Sequence, residues 1–310
     1  MESTGFVPGR RRLAEPPLDP PALLSAVVAV ILALMSSLFW GSADFGGGVL
    51  ARRVAVTGVV LFSQGAGALA LVVVSVAVGQ PFPHLFWLPM AAGLFGILGL
   101  LSFYHGLSIG KMSLVAPVAG CGVVLPVVYS LAIGQVPRPL TMAGLVSAMV
   151  GVVLASISSA DGDQRARHPR AAALAAIGAA VGFGMFLLLF GRASSLEPAS
   201  VLWMSLYTRL ASVPALALGL LVTRSAVPWR GMSRRDFVLI ALVGLGDASA
   251  NTLFGIANTL GSLAVVAVLG SLYPLVTAGL ARIRLGEQLT ARQKLGAGLA
   301  MLGIILISTS

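Results

Sequence analysis

Ten runs of roughly 20 largely apolar residues constrain this chain more than any other feature, because each is long enough to cross the ~30 Å hydrocarbon core of a bilayer as a helix. Charged residues, prolines and turn residues separate the runs. The runs are 22–50, 54–78, 85–107, 113–133, 139–158, 171–191, 199–222, 237–257, 262–281 and 291–308. We therefore predict an all-α polytopic membrane protein with ten transmembrane helices.

The charge balance agrees with a membrane protein. Only 10% of the residues are charged and the mean hydropathy is +0.98, whereas soluble proteins carry roughly 25% charged residues. The net charge of +10 comes from short clusters between apolar runs, where cations meet lipid headgroups, so we expect membrane lipid and no nucleic acid as a partner. The basic, proline-rich segment 1–21 predicts a disordered tail before an uncleaved first span.

An internal repeat relates residues 113–156 to residues 262–308. Aligning Gly134 with Gly286 also pairs Gly144 with Gly296, Ala148 with Ala300, Met149 with Met301, Gly151 with Gly303, Leu154 with Leu306 and Ser156 with Ser308. A proline, Pro126 or Pro274, precedes that glycine in each copy. The repeat falls on spans four and five and again on nine and ten, which indicates duplication of a five-span unit.

An odd number of spans per unit would insert the second copy upside down, the inverted-repeat arrangement of many secondary transporters. The predicted organisation is a tail at 1–21, a first five-helix repeat at 22–158, a polar linker at 159–170 and a second repeat at 171–310.

Several motifs carry a resemblance to a known family. They are Trp40-Gly41 in the first span, Tyr273-Pro274, Leu285-Gly286-Glu287 and the glycine-rich last helix 296–308. With them the chain resembles EamA-type permeases of the drug/metabolite transporter (DMT) superfamily. The resemblance implies two EamA-like five-helix repeats and a multi-pass permease that moves small metabolites or drugs by alternating access.

The first half departs from the family pattern at two places. Gly134-Gln135 stands where the family has Gly-Glu, and an arginine usual early in the second helix of each half is matched by Arg209, whereas the first half has Gln64. These departures argue against a strictly symmetric mechanism. Loop cations would place both termini outside by the positive-inside rule, while the resemblance implies cytoplasmic termini, so the orientation stays open.

Four residues are candidate structural hinges. Trp40 and Gly41, followed by Gly46-Gly47-Gly48, would let the long first span tilt, kink or break, although close helix packing through small residues is the alternative. Pro126 and Pro274 are the candidates in the two copies of the repeat.

Ionisable residues inside spans cost roughly 2.5 to 3.5 kcal/mol each to insert, so those that occur are candidates for function. Asp44 and Asp247 are the acids within apolar runs, and Arg209 is the cation deep in a span. At about 100° per residue, Asp247, Asn251 and Asn258 project from nearly one side of a helix, which predicts a polar stripe facing a cavity.

The candidate roles follow from these residue types. Asp247 or Asp44 would take and release a proton or hold a cationic substrate, and Arg209 would bind a carboxylate or restrain an aspartate. The alternative is a permanent structural ion pair. Tyr104 and His105 could line the same cavity.

An intramembrane aspartyl protease is a rival class, because Gly244-Leu245-Gly246-Asp247 spells the Gly-x-Gly-Asp string of those enzymes and Asp44 could supply the second carboxylate. The order of its other signatures is wrong, and a membrane scaffold without transport is a third class. We expect no enzyme activity, no cofactor and no metal site. The sequence favours a secondary transporter of a small organic solute in the plasma membrane, with proton coupling and export among the options and a homodimer left open.

Overall fold

The computed structural model describes residues 20–109, 115, 118–156, 169–223, 231–285 and 291–308. Helices fill these segments, and no strand occurs within them. The helices are α1 (Pro20–Leu50), α2 (Val56–Val78), α3 (Trp87–Ile109), α4 (Val124–Ala132), α5 (Pro139–Ser156), α6 (Pro169–Leu196), α7 (Val201–Val222), α8 (Arg234–Leu260), α9 (Leu263–Gly270), α10 (Tyr273–Leu285) and α11 (Ala291–Ser308). The prediction of an all-α fold is confirmed, while nearly all of the predicted tail and linker lies outside the described residues.

Seven helical stretches of the described chain are long and apolar enough to cross a membrane. Six of them are α1, α2, α3, α6, α7 with its preceding turn, and α8, and the seventh is the stretch Leu263–Arg284, which includes α9 and α10. Three shorter apolar helices are Val118–Ala132, Pro139–Gly151 and Lys294–Ile307. A polytopic membrane protein is thus consistent with the structure, and ten crossings remain a prediction.

The ninth predicted span is not one continuous helix. α9 ends at Gly270 and α10 begins at Tyr273, with Ser271 and Leu272 in a turn between them. The cause is Pro274, which has no N–H to donate to the carbonyl of Gly270 and whose ring crowds that carbonyl. Proline is tolerated at the start of a helix, where the N–H would have no partner inside the helix.

The fourth predicted span contains a milder irregularity at the corresponding place. A 3₁₀ turn, Cys121–Val123, precedes α4, and Pro126 follows Gly122 by four residues, as Pro274 follows Gly270. Both hinge candidates of the repeat therefore lie at the start of a helix and behind an irregular turn.

The first span does not break at Trp40 and Gly41, because α1 is helical from Pro20 to Leu50. Gly41 instead permits close packing on α10. A Cβ at Gly41 would lie 2.5 Å from Cβ of Val276, and Thr277 Oγ1 donates to the carbonyl of Gly41 at 3.0 Å. Of the two explanations for the glycine-rich part of this span, close packing is the one that Gly41 fits.

Three helix pairs pack along most of their length: α1 with α8, α3 with α6, and α5 with α11. α2 contacts α7 and α8, and α3 also contacts α7. The core beneath α1 is aromatic, with Trp40 against Phe186 and Phe254, and Phe190 stacked on Phe186. This packing surrounds a cavity between α1, α2, α3, α6, α7, α8 and the turn before α10.

The identical residues of the repeat form the contact between α5 and α11. A Cβ at Gly144 would lie 2.9 Å from the carbonyl oxygen of Gly303, and a Cβ at Gly151 would lie 2.7 Å from that of Gly296. Ser147 Oγ donates to the carbonyl of Leu299 at 2.8 Å. Small residues of this kind let two helix backbones approach closely, as is typical of helix pairs in membranes.

We expect Gly151→Ala to destabilise the protein, because the new methyl group would overlap the backbone of Ala300 and force α5 and α11 apart. Gly298→Ala on α11 is the matched control, since a Cβ there meets no atom within 4 Å. Alanine is also favoured over glycine in a helix by about 0.5–1 kcal/mol. Thermal unfolding of the detergent-solubilised variants should show a lower Tm for Gly151→Ala and an unchanged or higher Tm for Gly298→Ala. Equal Tm values would contradict the close contact.

Candidate functional site

A cavity of about 70 Å³ lies inside the helix bundle. Its polar lining residues are Asp44, Gln64, Thr208, Ser212, Asp247, Asn251 and Ser271, and its aromatic ones are Trp40, Phe183, Phe186 and Tyr273. Gly93, Gly96, Ile97, Leu100 and Leu187 complete the wall. Polar groups and aromatic rings thus converge on one interior space, as they do in small-molecule sites.

Arg209 and Asp247 form an ion pair beside this cavity. Arg209 Nη2 lies 2.7 Å from Asp247 Oδ2, and Gln64 Nε2 donates to the same oxygen at 3.0 Å. The side chain of Arg209 is fully buried, and that of Asp247 is 19% exposed. The two side chains come from α7 and α8, and each makes the burial of the other tolerable.

The remaining donors of Arg209 are directed back to its own helix. Nη1 donates to the carbonyl of Ser205 at 2.9 Å and contacts Thr208 Oγ1 at 3.3 Å. Nε is buried and has no hydrogen-bond partner among the described residues. The guanidinium is therefore held in place on two sides, and it is not part of the cavity wall.

Two glycines bring α2 close enough for Gln64 to reach the ion pair. A Cβ at Gly67 would lie 2.9 Å from both Arg209 Nε and the carbonyl oxygen of Gly244. A Cβ at Gly244 would overlap the carbonyl of Ser63. Larger residues at these positions would push α2 away from α7 and α8.

Asp44 is the second carboxyl group of the cavity, and its surroundings differ from those of Asp247. It is 7% exposed and lines the cavity from α1. No residue in the described part of the chain forms an ion pair or hydrogen bond with its side chain. The site therefore contains one guanidinium and two carboxyl groups, and one negative charge is uncompensated when both aspartates are ionised.

Aromatic rings surround the same space. Trp40 Nε1 donates to Asn251 Oδ1 at 2.8 Å, which fixes the indole ring beside the cavity. Its ring centroid is 6.4 Å from that of Phe186, with the planes at 77°. On the other side, Tyr273 and Phe183 are 6.4 Å apart at 87°, and the hydroxyl of Tyr273 is buried without a partner among the described residues.

The structure brings together most of the residues that the sequence singles out. Asp44, Gln64, Asp247, Asn251 and Trp40 line the cavity, and Arg209 binds Asp247 from behind it. Tyr104 is buried nearby against Gly47 of α1, outside the lining set.

Two predicted cavity residues lie elsewhere. His105 is exposed, because it follows Tyr104 by about 100° around α3 and so faces outward. Asn258 is eleven residues beyond Asp247, roughly 16 Å along the helix at 1.5 Å per residue, and it packs against Gly191 of α6. Neither residue lines this cavity. For Asn258 the reason is that angular agreement on a helix does not specify the position along its axis.

Several cavity residues escaped the sequence analysis, namely Phe183, Phe186, Thr208, Ser212, Ser271 and Tyr273. A signal for two of them exists on α7, where Ser205, Thr208 and Ser212 recur at intervals of three and four residues around Arg209. This spacing places polar groups on one face of a helix. The phenylalanines carry no comparable signal, because aromatic residues are common in apolar spans.

Comparisons with known proteins agree with this architecture. Residues 170–309 match the profile of the EamA-like transporter family. The chain is similar to a protein of known crystal structure, with a TM-score of 0.70 and 16% sequence identity. The superposition covers 90% of this chain and 95% of the chain in that structure, so the two share a fold. No curated protein sequence matches the chain significantly.

Asp247→Asn should destabilise the folded protein by about 3–5 kcal/mol, because it leaves the buried charge of Arg209 without a counter-charge. The measurement is thermal unfolding in detergent. The double variant with Arg209→Gln and Asp247→Asn should recover most of the loss.

Asp44→Asn is the matched control for this experiment. It removes a buried carboxylate that has no cationic partner among the described residues, so the Tm should stay the same or rise. A stable Asp247→Asn variant, or a similar loss with Asp44→Asn, would refute the distinction between the two aspartates.

Proposed function

Because residues 170–309 match the EamA-like transporter family, we propose that this chain is a membrane transporter of the DMT type and, more specifically, a secondary transporter of a small organic solute. The solute occupies the cavity beside Asp44. It crosses the membrane by alternating access, and its transport is coupled to proton movement. The observation that carries the proposal is the cavity, lined by polar and aromatic side chains, within an apolar helix bundle. A scaffold has no need of buried carboxyl groups around an internal space.

The packing of α5 and α11 supports an inverted repeat of ten helices. The sequence repeat pairs Gly144 with Gly296 and Gly151 with Gly303. In the structure Gly144 contacts Gly303 and Gly151 contacts Gly296, so exchanging the two halves maps this contact onto itself. A two-fold relation between antiparallel helices has this property.

The other helix pairs follow the same exchange. If α1, α2 and α3 correspond to α6, α7 and α8, the pairing of α1 with α8 corresponds to that of α6 with α3. The contact of α2 with α8 corresponds in turn to that of α7 with α3, and these contacts are all present. Alternating access by inverted repeats needs such paired interfaces, which can exchange roles between inward- and outward-facing states.

The interruption before α10 lies at the cavity, because Ser271 of the turn belongs to the lining. Discontinuous helices of this kind typically form the substrate site of secondary transporters, since their free backbone groups can contact the solute. We assign the turn 271–272 to the solute site.

Contacts between loops tie both ends of the bundle. At one end Arg53 of the α1–α2 loop forms a 2.8 Å salt bridge with Asp236 at the start of α8. At the other end Glu197 accepts hydrogen bonds from the backbone N–H groups of His84 and Leu85 at 2.8 and 2.9 Å. If the two repeats are exchanged, the Arg53–Asp236 salt bridge corresponds to the hydrogen bonds of Glu197. Each set of contacts would break in one of the two access states.

Asp44 is the proposed proton carrier. Asp247 is bonded to Arg209 and Gln64 and is the structural partner, whereas Asp44 has no such bonds among the described residues. A protease would need both aspartates as acid and base, and the ion pair removes Asp247 from that role, so we do not propose enzyme activity. A plasma-membrane location belongs to the same proposal.

Proton-coupled flux in proteoliposomes tests this function. A panel of metabolites and amines is added outside vesicles that contain a trapped pH indicator, and internal pH is followed. We expect at least one solute to cause proton movement with the wild-type chain, and Asp44→Asn to abolish it.

Gly298→Ala serves as the control for vesicle preparation, because its methyl group touches nothing within 4 Å. Full proton coupling in Asp44→Asn would exclude Asp44 as the carrier. Absence of solute movement across the whole panel would favour the scaffold alternative.

A further inference from the structure

We propose that the solute is a small organic monocation, a protonated or quaternary amine, and that it binds at Asp44 in place of a proton. This inference rests on the proposed transport function and narrows its substrate class. Its basis is a buried carboxyl group that lines the cavity with no partner among the described residues.

Charge is the first argument. Asp247 is neutralised by Arg209 at 2.7 Å, so Asp44 is the cavity carboxyl whose charge has no compensation from a described residue. Burying an unpaired ion costs several kcal/mol, and a bound cation or a proton removes that cost. The lining thus favours a ligand with one positive charge.

The aromatic wall is the second argument. Trp40, Phe183, Phe186 and Tyr273 all line the cavity that contains Asp44. Aromatic faces attract cations, and cages of aromatic rings are the usual recognition device for quaternary ammonium groups. Trp40 is only four residues before Asp44 on α1, one helical turn away, so ring and carboxyl lie on the same face.

Anionic solutes are disfavoured by the position of Arg209. Its Nη2 is bonded to Asp247 and its Nη1 to Ser205, and it does not contribute to the lining. No other arginine or lysine lines the cavity as described. A carboxylate or phosphate would therefore meet the negative charge of Asp44 without a cation to receive it.

Size is compatible with a compact ligand. The cavity volume of about 70 Å³ exceeds the roughly 10–15 Å³ that one water molecule requires, so the cavity has room for a small cation such as tetramethylammonium.

The exchange step follows from the shared carboxyl group. When the cation arrives, the O–H bond of protonated Asp44 breaks, the proton passes to water, and the carboxylate pairs with the cation. One positive charge replaces another, so transport exchanges one proton for one cation and moves no net charge. The titratable groups near enough to interact electrostatically with Asp44 are Asp247 of α8, Tyr104 of α3 and Tyr273 of α10.

Calorimetric titration of tetramethylammonium into the full chain in lipid nanodiscs tests the inference. We expect binding to the wild type that weakens as the pH falls, because protons compete for Asp44. Asp44→Asn should weaken binding at least tenfold and remove the pH dependence, whereas Asp44→Glu should retain both. Phe186→Leu should weaken binding about two- to thirtyfold through the lost cation–π contact.

The titration and the flux assay together distinguish failure of the cation assignment from failure of the transporter proposal. Equal binding by Asp44→Asn with an unchanged Tm would overturn the inference. If an anionic or neutral solute crosses the vesicle membrane and tetramethylammonium neither binds nor competes with it, the cation assignment fails and the transporter proposal stands. If no solute moves and none binds, both fail.

Discussion

The cost of placing charge in an apolar interior is the constraint on which this structure depends. Arg209 is fully buried, and its position is tolerable because Asp247 of the next long helix lies 2.7 Å from its guanidinium. Gln64 adds a hydrogen bond from α2, so three helices are fixed relative to one another by a single oxygen atom of Asp247. Asp44 has no cationic partner among the described residues, so its carboxyl group supplies the unpaired negative charge of the cavity when it is ionised.

Close backbone contact through glycine is the second element of the design. Gly67 and Gly244 let α2 approach α8 near the ion pair, and Gly144, Gly151 and Gly303 join α5 to α11. In lipid, burying apolar side chains between helices contributes little to the free energy of association. Van der Waals contact between closely packed backbones therefore contributes more. The repeated glycines therefore serve an interface between the halves.

The sequence predicts much of this architecture, because membrane helices leave strong signals. The apolar runs locate the long helices, and rare ionisable residues locate the site, with Asp44, Asp247 and Arg209 all at or beside one cavity. The sequence does not reveal which aspartate Arg209 contacts, since that depends on how α7 and α8 pack. Angular position alone does not give the place of Asn258 along α8, and run length alone does not show where α9 ends, although the sequence offers Pro274 as a hinge candidate.

The two predicted repeats contribute different residues to the site. Where the second half supplies Arg209, the first half supplies Gln64, and both reach Asp247. A second arginine in place of Gln64 would bring a second cation to the cavity that Asp44 and Asp247 line, and would balance the charges. With glutamine there, one negative charge remains for a proton or a cationic solute.

Infrared difference spectroscopy measures this remaining charge most directly. Spectra of the full chain at mildly acidic pH, recorded with and without tetramethylammonium, report whether a carboxylic acid becomes a carboxylate. Our account predicts that the cation removes the C=O band of one protonated carboxyl group, and that Asp44→Asn lacks this change. Cation binding with no change in that band, or the same change in Asp44→Asn, would contradict the claim that proton and cation share Asp44.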